Sequence, residues 1–334
     1  MNEITSIINN IKNGNIKPIY FLMGEEPYYI DMISDYIEKN TLDEAEKDFN
    51  QVVVYGRDTS INQIISMAKR YPIMAERQVL IIKEAQDLSK TIDKLEQYVM
   101  NSQPTTVLVF NYKNKKLDKR KKIYKVIAKY GLIYDSKKMY ENKVPDWIGR
   151  ILSKKKYQIE PKAAQMLVEF LGTDLSKINN ELEKLVSVLP IKTVITPHLI
   201  EENIGISKDF NNFELKKAVG EKNVVKANRI INYFAENQRK HPLVMTISLL
   251  NSFFTQLLMY HGLQDKSKSS VVRLLKVSPY FVGDYIIAAR NYPMRKVAQV
   301  ITFLRDADLK SKGVGASGGK EVDILKELLF KILH

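Results

Sequence analysis

Strand-like and helix-like segments alternate five times in the first 140 residues, and then the strand signal almost vanishes. Short apolar runs at residues 18–23, 49–55, 79–82, 105–110 and 132–134 read as strands. Between them, apolar residues recur at helical spacing, as in Tyr29, Met32, Ile33, Tyr36 and Ile37, or Ile61, Ile64, Ile65 and Ala68. Residues 88–100 and a basic stretch at 117–129 also read as helices. Strands joined through helices pair in parallel, and a parallel sheet buries both faces. The expected fold class is therefore α/β followed by all-α.

After Met139, helices are expected at 144–152, 161–171 and 175–189, with Thr196 and Pro197 opening a short one as N-cap and first helical residue. These form a small helical region at 140–206. A second helical region fills 207–334, with segments at 224–237, 242–262, 278–290, 297–309 and 322–333. The stretch 249–260 is apolar on more than one face, as suits a helix inside a bundle. No run of eighteen consecutive apolar residues occurs, so no membrane span is expected. The glycine-rich GVGASGG at 313–319 lacks a following Lys-Ser/Thr and a preceding strand, and reads as a mobile loop.

Several chemistries are excluded. The chain has no cysteine, hence no disulfide and no thiolate metal site. Its histidines, His198, His241, His261 and His334, lack metal-binding spacing. No Gly-x-Ser-x-Gly elbow is present. Glu25-Glu26 and Glu201-Glu202 read as surface or capping acids, and Trp147 as packing with Val144, Ile148 and Ile151. No metal and no cofactor are expected.

The turn after the first strand lies where a phosphate-binding loop would lie. Such a loop needs G-x-x-x-x-G-K-[ST], whose amides cradle phosphate, whose Lys neutralises it and whose hydroxyl holds magnesium. Gly24 fills the first place, but Tyr29, Ile30 and Asp31 occupy the places of Gly, Lys and Ser/Thr. The strand at 79–82 runs into Lys83-Glu84, with Lys where a magnesium-binding Asp belongs. Two independent defects argue against nucleotide hydrolysis.

The formal charge is +14, and most of the excess is local. Residues 113–156 hold sixteen Lys/Arg against four Asp/Glu. Either this is a solvated face or it meets an anionic partner, nucleic acid first. The loop KNKKLDKRKK at 113–122 is its densest part, and Lys115, Lys116, Lys119, Arg120, Lys121 and Lys122 are the candidate DNA contacts. Tyr112 and Tyr124 flank it as candidate stacking partners.

Pro72 ends the helical periodicity begun at Ile61 and puts Tyr71, Pro72, Ile73 and Met74 at a helix-to-strand corner. Corners are usually exposed and polar. Two large apolar residues there either fold inward over the local core or wait for a partner.

A nucleotide-binding fold with broken phosphate chemistry, a helical lid and a helical bundle together resemble the delta-subunit family of bacterial DNA polymerase III clamp loaders. The likeness is carried by PIYFLMGEEPY (18–28), RQVLII (77–82) and DLSKINNELEKL (174–185), and extends over essentially the whole chain. The resemblance implies an AAA+-like domain at 1–139 with a degenerate P-loop, a lid at 140–206 and a collar at 207–334. It implies a non-catalytic subunit of a DNA-directed DNA polymerase complex, in the bacterial cytoplasm at the replication fork. The implied role is to bind the beta sliding clamp and open it. Implied partners are gamma/tau and delta prime subunits, joined through the collar, and primed-template DNA within the assembly. The family's clamp contact is an adjacent apolar pair shortly before the Arg-Gln that leads into the strand, and here Ile73 and Met74 match it. Family members often carry Leu-Phe there; Ile-Met keeps the bulk and loses the aromatic ring. The competing functions are a basic DNA-binding module without a clamp partner and a divergent P-loop ATPase.

Overall fold

A computed structural model describes residues 2–207, 209–314 and 321–334. The chain divides into two compact units, Met1–Met139 and Tyr140–His334.

The first unit runs α1 (Asn2–Lys12), β1 (Ile19–Gly24), α2 (Pro27–Asn40), α3 (Glu44–Asn50), β2 (Gln51–Tyr55), α4 (Ile61–Ala68), β3 (Gln78–Lys83), α5 (Glu96–Met100), β4 (Thr106–Lys113), α6 (Lys122–Tyr130) and β5 (Leu132–Ser136). The five strands form one sheet in the order β2-β3-β4-β1-β5, every pair parallel. Alternate residues go to opposite faces. Phe21, Met23, Leu80, Ile82, Leu108 and Phe110 pack beneath α4, α5 and α6. Tyr20, Leu22, Ile81 and Val109 are buried on the other face, where α2 crosses the sheet.

Three of the expected elements differ. Residues 49 and 50 end helix α3 instead of starting the second strand. A capping box between Asp43 and Glu46 nucleates this helix, a signal the strand-like run at 52–55 masked. The stretch 88–100 is not one helix: a 3₁₀ turn ends at Leu88, a second covers Ile92–Leu95, and α helix runs only over Glu96–Met100. The basic helix starts at Lys122, because residues 114–121 form a loop.

The second unit runs α7 (Val144–Lys154), β6 (Gln158–Ile159), α8 (Pro161–Leu171), α9 (Leu175–Val188), β7 (Val194–Ile195), α10 (Pro197–Ile204), α11 (Asn212–Gly220), α12 (Val224–Glu236), α13 (Leu243–Gly262), α14 (Lys268–Leu275), α15 (Val282–Asn291), α16 (Met294–Ser311) and α17 (Glu321–Leu333). Its two short strands pair in parallel. Thr196 caps α10 by accepting from the Leu199 amide. Trp147 is fully buried. Helix α13 is long and apolar enough to cross a membrane by length and composition alone. Here its Ile247, Leu250, Phe253, Phe254 and Leu257 are buried in a core shared with α11, α12, α15, α16 and α17, the place of a bundle's central helix. Of the glycine-rich 313–319, residues 315–319 lie outside the described residues.

Candidate functional site: an apolar corner and a closed phosphate loop

Two places in the first unit can be built from their residues: the carboxyl edge of the sheet, and the corner between α4 and β3.

In open parallel sheets, ligands bind beyond the carboxyl ends of the strands where the strand order reverses. Here that place is the end of β1, between β4 and β5. The backbone there is already used. The Gly24 amide donates to the Lys115 carbonyl (3.1 Å), and the Glu25 amide to the Ser136 carbonyl (2.8 Å). The Ser136 hydroxyl donates to the Glu26 carbonyl at 2.8 Å. The Gly24 and Glu25 amides at this turn are therefore already bound, to the loop after β4 and to the end of β5. Ile30, in the place of the phosphate-binding Lys, is a fully buried core residue, and Tyr29 is buried beside it. Asp31 is paired with Lys113 (2.9 Å), which also reaches Glu84 (3.1 Å). Lys83 pairs with Glu38 at 3.3 Å. Burial alone would lower the Lys113 ammonium, but Asp31 and Glu84 outweigh it and raise it. An internal ion cluster thus stands where nucleotide and magnesium would be held.

The corner is built differently. Ser60 and Gln63 form a capping box that starts α4, and Ile61, Ile64 and Ala68 bury its inner face. Its last carbonyl, on Ala68, accepts from Thr106 Oγ1 (2.8 Å) and Tyr98 Oη (3.1 Å). The chain then turns through residues 69–77 without regular structure. Tyr71 is 77% exposed, Ile73 58% and Met74 101%. The pair does not fold inward over the core. Met74 also has φ +51°, in the left-handed region that non-glycine residues seldom take.

Two side-chain amides hold this corner. Asn50 Oδ1 accepts from the Ile73 amide at 2.6 Å, and its Nδ2 donates to the Ile73 carbonyl at 2.9 Å. Gln78 Nε2 donates to the Arg70 carbonyl (2.5 Å) and to Thr106 Oγ1 (2.8 Å). Phe49, next to Asn50, is 70% exposed and adds a further apolar side chain to this edge of the molecule. Neither Asn50 nor Phe49 stood out in the sequence. The pairing of Asn50 with Ile73 spans more than twenty residues of chain, and no local pattern encodes it.

The basic loop is partly neutralised within the chain. Lys116 pairs with Glu25 and Asp135, Arg120 with Asp118, Lys121 with Asp93 and Lys122 with Glu96. All six candidate side chains, Lys115 and Lys119 included, lie exposed. Tyr112 is not available for base stacking: it is buried and packed against Phe21.

Comparison with known proteins decides the family. DNA polymerase III, delta subunit, matches residues 20–136, and DNA polymerase III delta subunit, C-terminal domain, matches residues 209–330. The chain belongs to this family. The DNA polymerase III subunit delta of Bacillus subtilis (strain 168) is 25% identical over 336 residues, covering 97% of this chain and 95% of its own length. Among solved structures, the Bacillus subtilis DNA clamp loader delta protein superposes with a TM-score of 0.58 at 23% identity, over 99% of both chains. That similarity establishes a shared fold. Membership places the chain in DNA replication; its parallel-sheet unit is followed by a predominantly helical one, and the C-terminal match at 209–330 is helical among its described residues.

Proposed function

We propose that this chain is the subunit that binds the beta sliding clamp and holds it open for loading onto primed DNA, with Ile73 and Met74 as the apolar contact and Tyr71 and Pro72 flanking it. The observation that carries this is the corner itself: two large apolar side chains held out to solvent on a pinned backbone. Burying both in a partner's pocket would contribute roughly 3–6 kcal/mol by area, reduced by the cost of association. Truncating a central apolar anchor commonly costs more than about 2 kcal/mol.

Opening a ring requires tighter binding to the open edge than to the closed one. An apolar plug that fits only a relaxed interface supplies that difference. The chain itself is a non-catalytic subunit of the polymerase complex: its Gly24 and Glu25 amides are occupied, a core isoleucine replaces the phosphate-binding lysine, and Asp31 brings negative charge. Energy from ATP must enter through other subunits, gamma/tau and delta prime, joined through the collar at 207–334. The lid at 140–206, the bacterial cytoplasmic location and contact of the basic loop with DNA within the assembly belong to the same proposal.

The test is clamp unloading by the full chain. The wild type is expected to release clamps from nicked circular DNA without ATP. Unloading that persists unchanged after both Ile73 and Met74 are truncated to alanine refutes the assignment.

A further inference from the structure

A loop without regular structure samples many backbone states unless something restricts it. Residues 71–76 lie in such a loop, yet Met74 sits at φ +51°. The restraint comes from one buried side chain. Asn50 is 3% exposed, and every hydrogen-bonding group of its carboxamide is used. Its Oδ1 accepts from the Ile73 amide (2.6 Å), and its Nδ2 donates to the carbonyls of Ile73 (2.9 Å) and Glu46 (3.1 Å). Both backbone polar groups of Ile73 are thus consumed from one side, and the exposed Ile73 and Met74 side chains remain available on the other. The anchor is itself fixed: Asn50 closes α3, whose start is set by the Asp43–Glu46 capping box.

We propose that Asn50 is a positioning residue for the clamp contact. It holds the Ile73 backbone so that the apolar pair is ordered before the partner arrives. This rests on the clamp-binding assignment above and names a residue that touches the partner only through Ile73 and Met74. Asparagine is specific for the task. Aspartate has the same shape but cannot donate to the two carbonyls, and alanine makes none of the three bonds. When the competent arrangement falls to a tenth of the population, apparent affinity falls about tenfold with no contact atom changed.

The test uses the full chain and its purified sliding clamp without nucleotide, with two readouts: hydrogen exchange at the Ile73 amide in the free chain, and clamp affinity. Asn50→Ala is expected to speed exchange at Ile73, leave exchange in β3 and β4 unchanged, and weaken clamp binding about tenfold. Asn50→Asp, which keeps the acceptor, is expected to weaken binding while retaining more protection at Ile73. In an Ile73→Ala/Met74→Ala background the effect of Asn50→Ala should shrink to less than about threefold, because Asn50 acts only through that pair. Faster exchange at Ile73 with wild-type affinity overturns the proposal, as does an equal loss in the Ile73→Ala/Met74→Ala background. These failures leave the clamp assignment standing. A folded wild type that does not bind the clamp, or an Ile73→Ala/Met74→Ala chain that binds normally, removes the clamp assignment and this role with it.

Discussion

Gly24 has φ +131°, and a Cβ placed on it would stand 2.1 Å from the Ser136 carbonyl oxygen. Its glycine is needed for close approach of β1 to the end of β5, whatever becomes of phosphate. Gly24→Ala is therefore expected to destabilise the sheet unit by roughly 2–4 kcal/mol, measured as a lower denaturation midpoint. The position was legible in the sequence as the first glycine of a damaged loop, and so were Tyr29, Ile30 and Asp31. The sequence could not show what replaced the phosphate chemistry. The Lys113 pairs with Asp31 and Glu84 join residues far apart in the chain. Ile73 and Met74 were legible as misplaced apolar residues at a corner, but their orientation depends on Asn50, which lies twenty-three positions earlier.

Elements with strong periodicity or capping signals were read well. Helices α8 and α10 and the central α13 lie where spacing and caps placed them. Helix α3 was missed because its seven residues bury only Asn50, and amphipathic periodicity needs several turns. The junction between α12 and α13 makes a pH-dependent prediction. His241 stacks on Phe234 with ring centroids 4.0 Å apart. Burial, with a smaller push from Lys240, lowers its pKa to about 4. An unfolded histidine titrates near ~6.5. The folded chain therefore binds that proton less readily, so stability rises from about pH 4 to pH 6.5 and is lost as pH falls through the same window. Urea midpoints of the helical unit across pH 4–7 should show this slope, and His241→Gln should flatten it.

At the scale of the whole molecule, the proposed function divides the labour between the closed phosphate loop and the apolar corner: energy would come from other subunits, and this chain would recognise the clamp. The full chain is accordingly expected to show no saturable ATP binding by calorimetry, and Ile30→Lys should not restore it, since a lysine there would enter the core. DNA binding by the isolated chain should be weak and salt-dependent. Lys115→Ala/Lys119→Ala is expected to reduce the slope of log K against log salt by about 1–2, if each lysine meets one phosphate. The most direct measurement is the affinity of the chain for its own sliding clamp without nucleotide, wild type beside Ile73→Ala/Met74→Ala. The account predicts nucleotide-independent binding that the double variant loses by about tenfold or more. Equal binding by a folded double variant would contradict it.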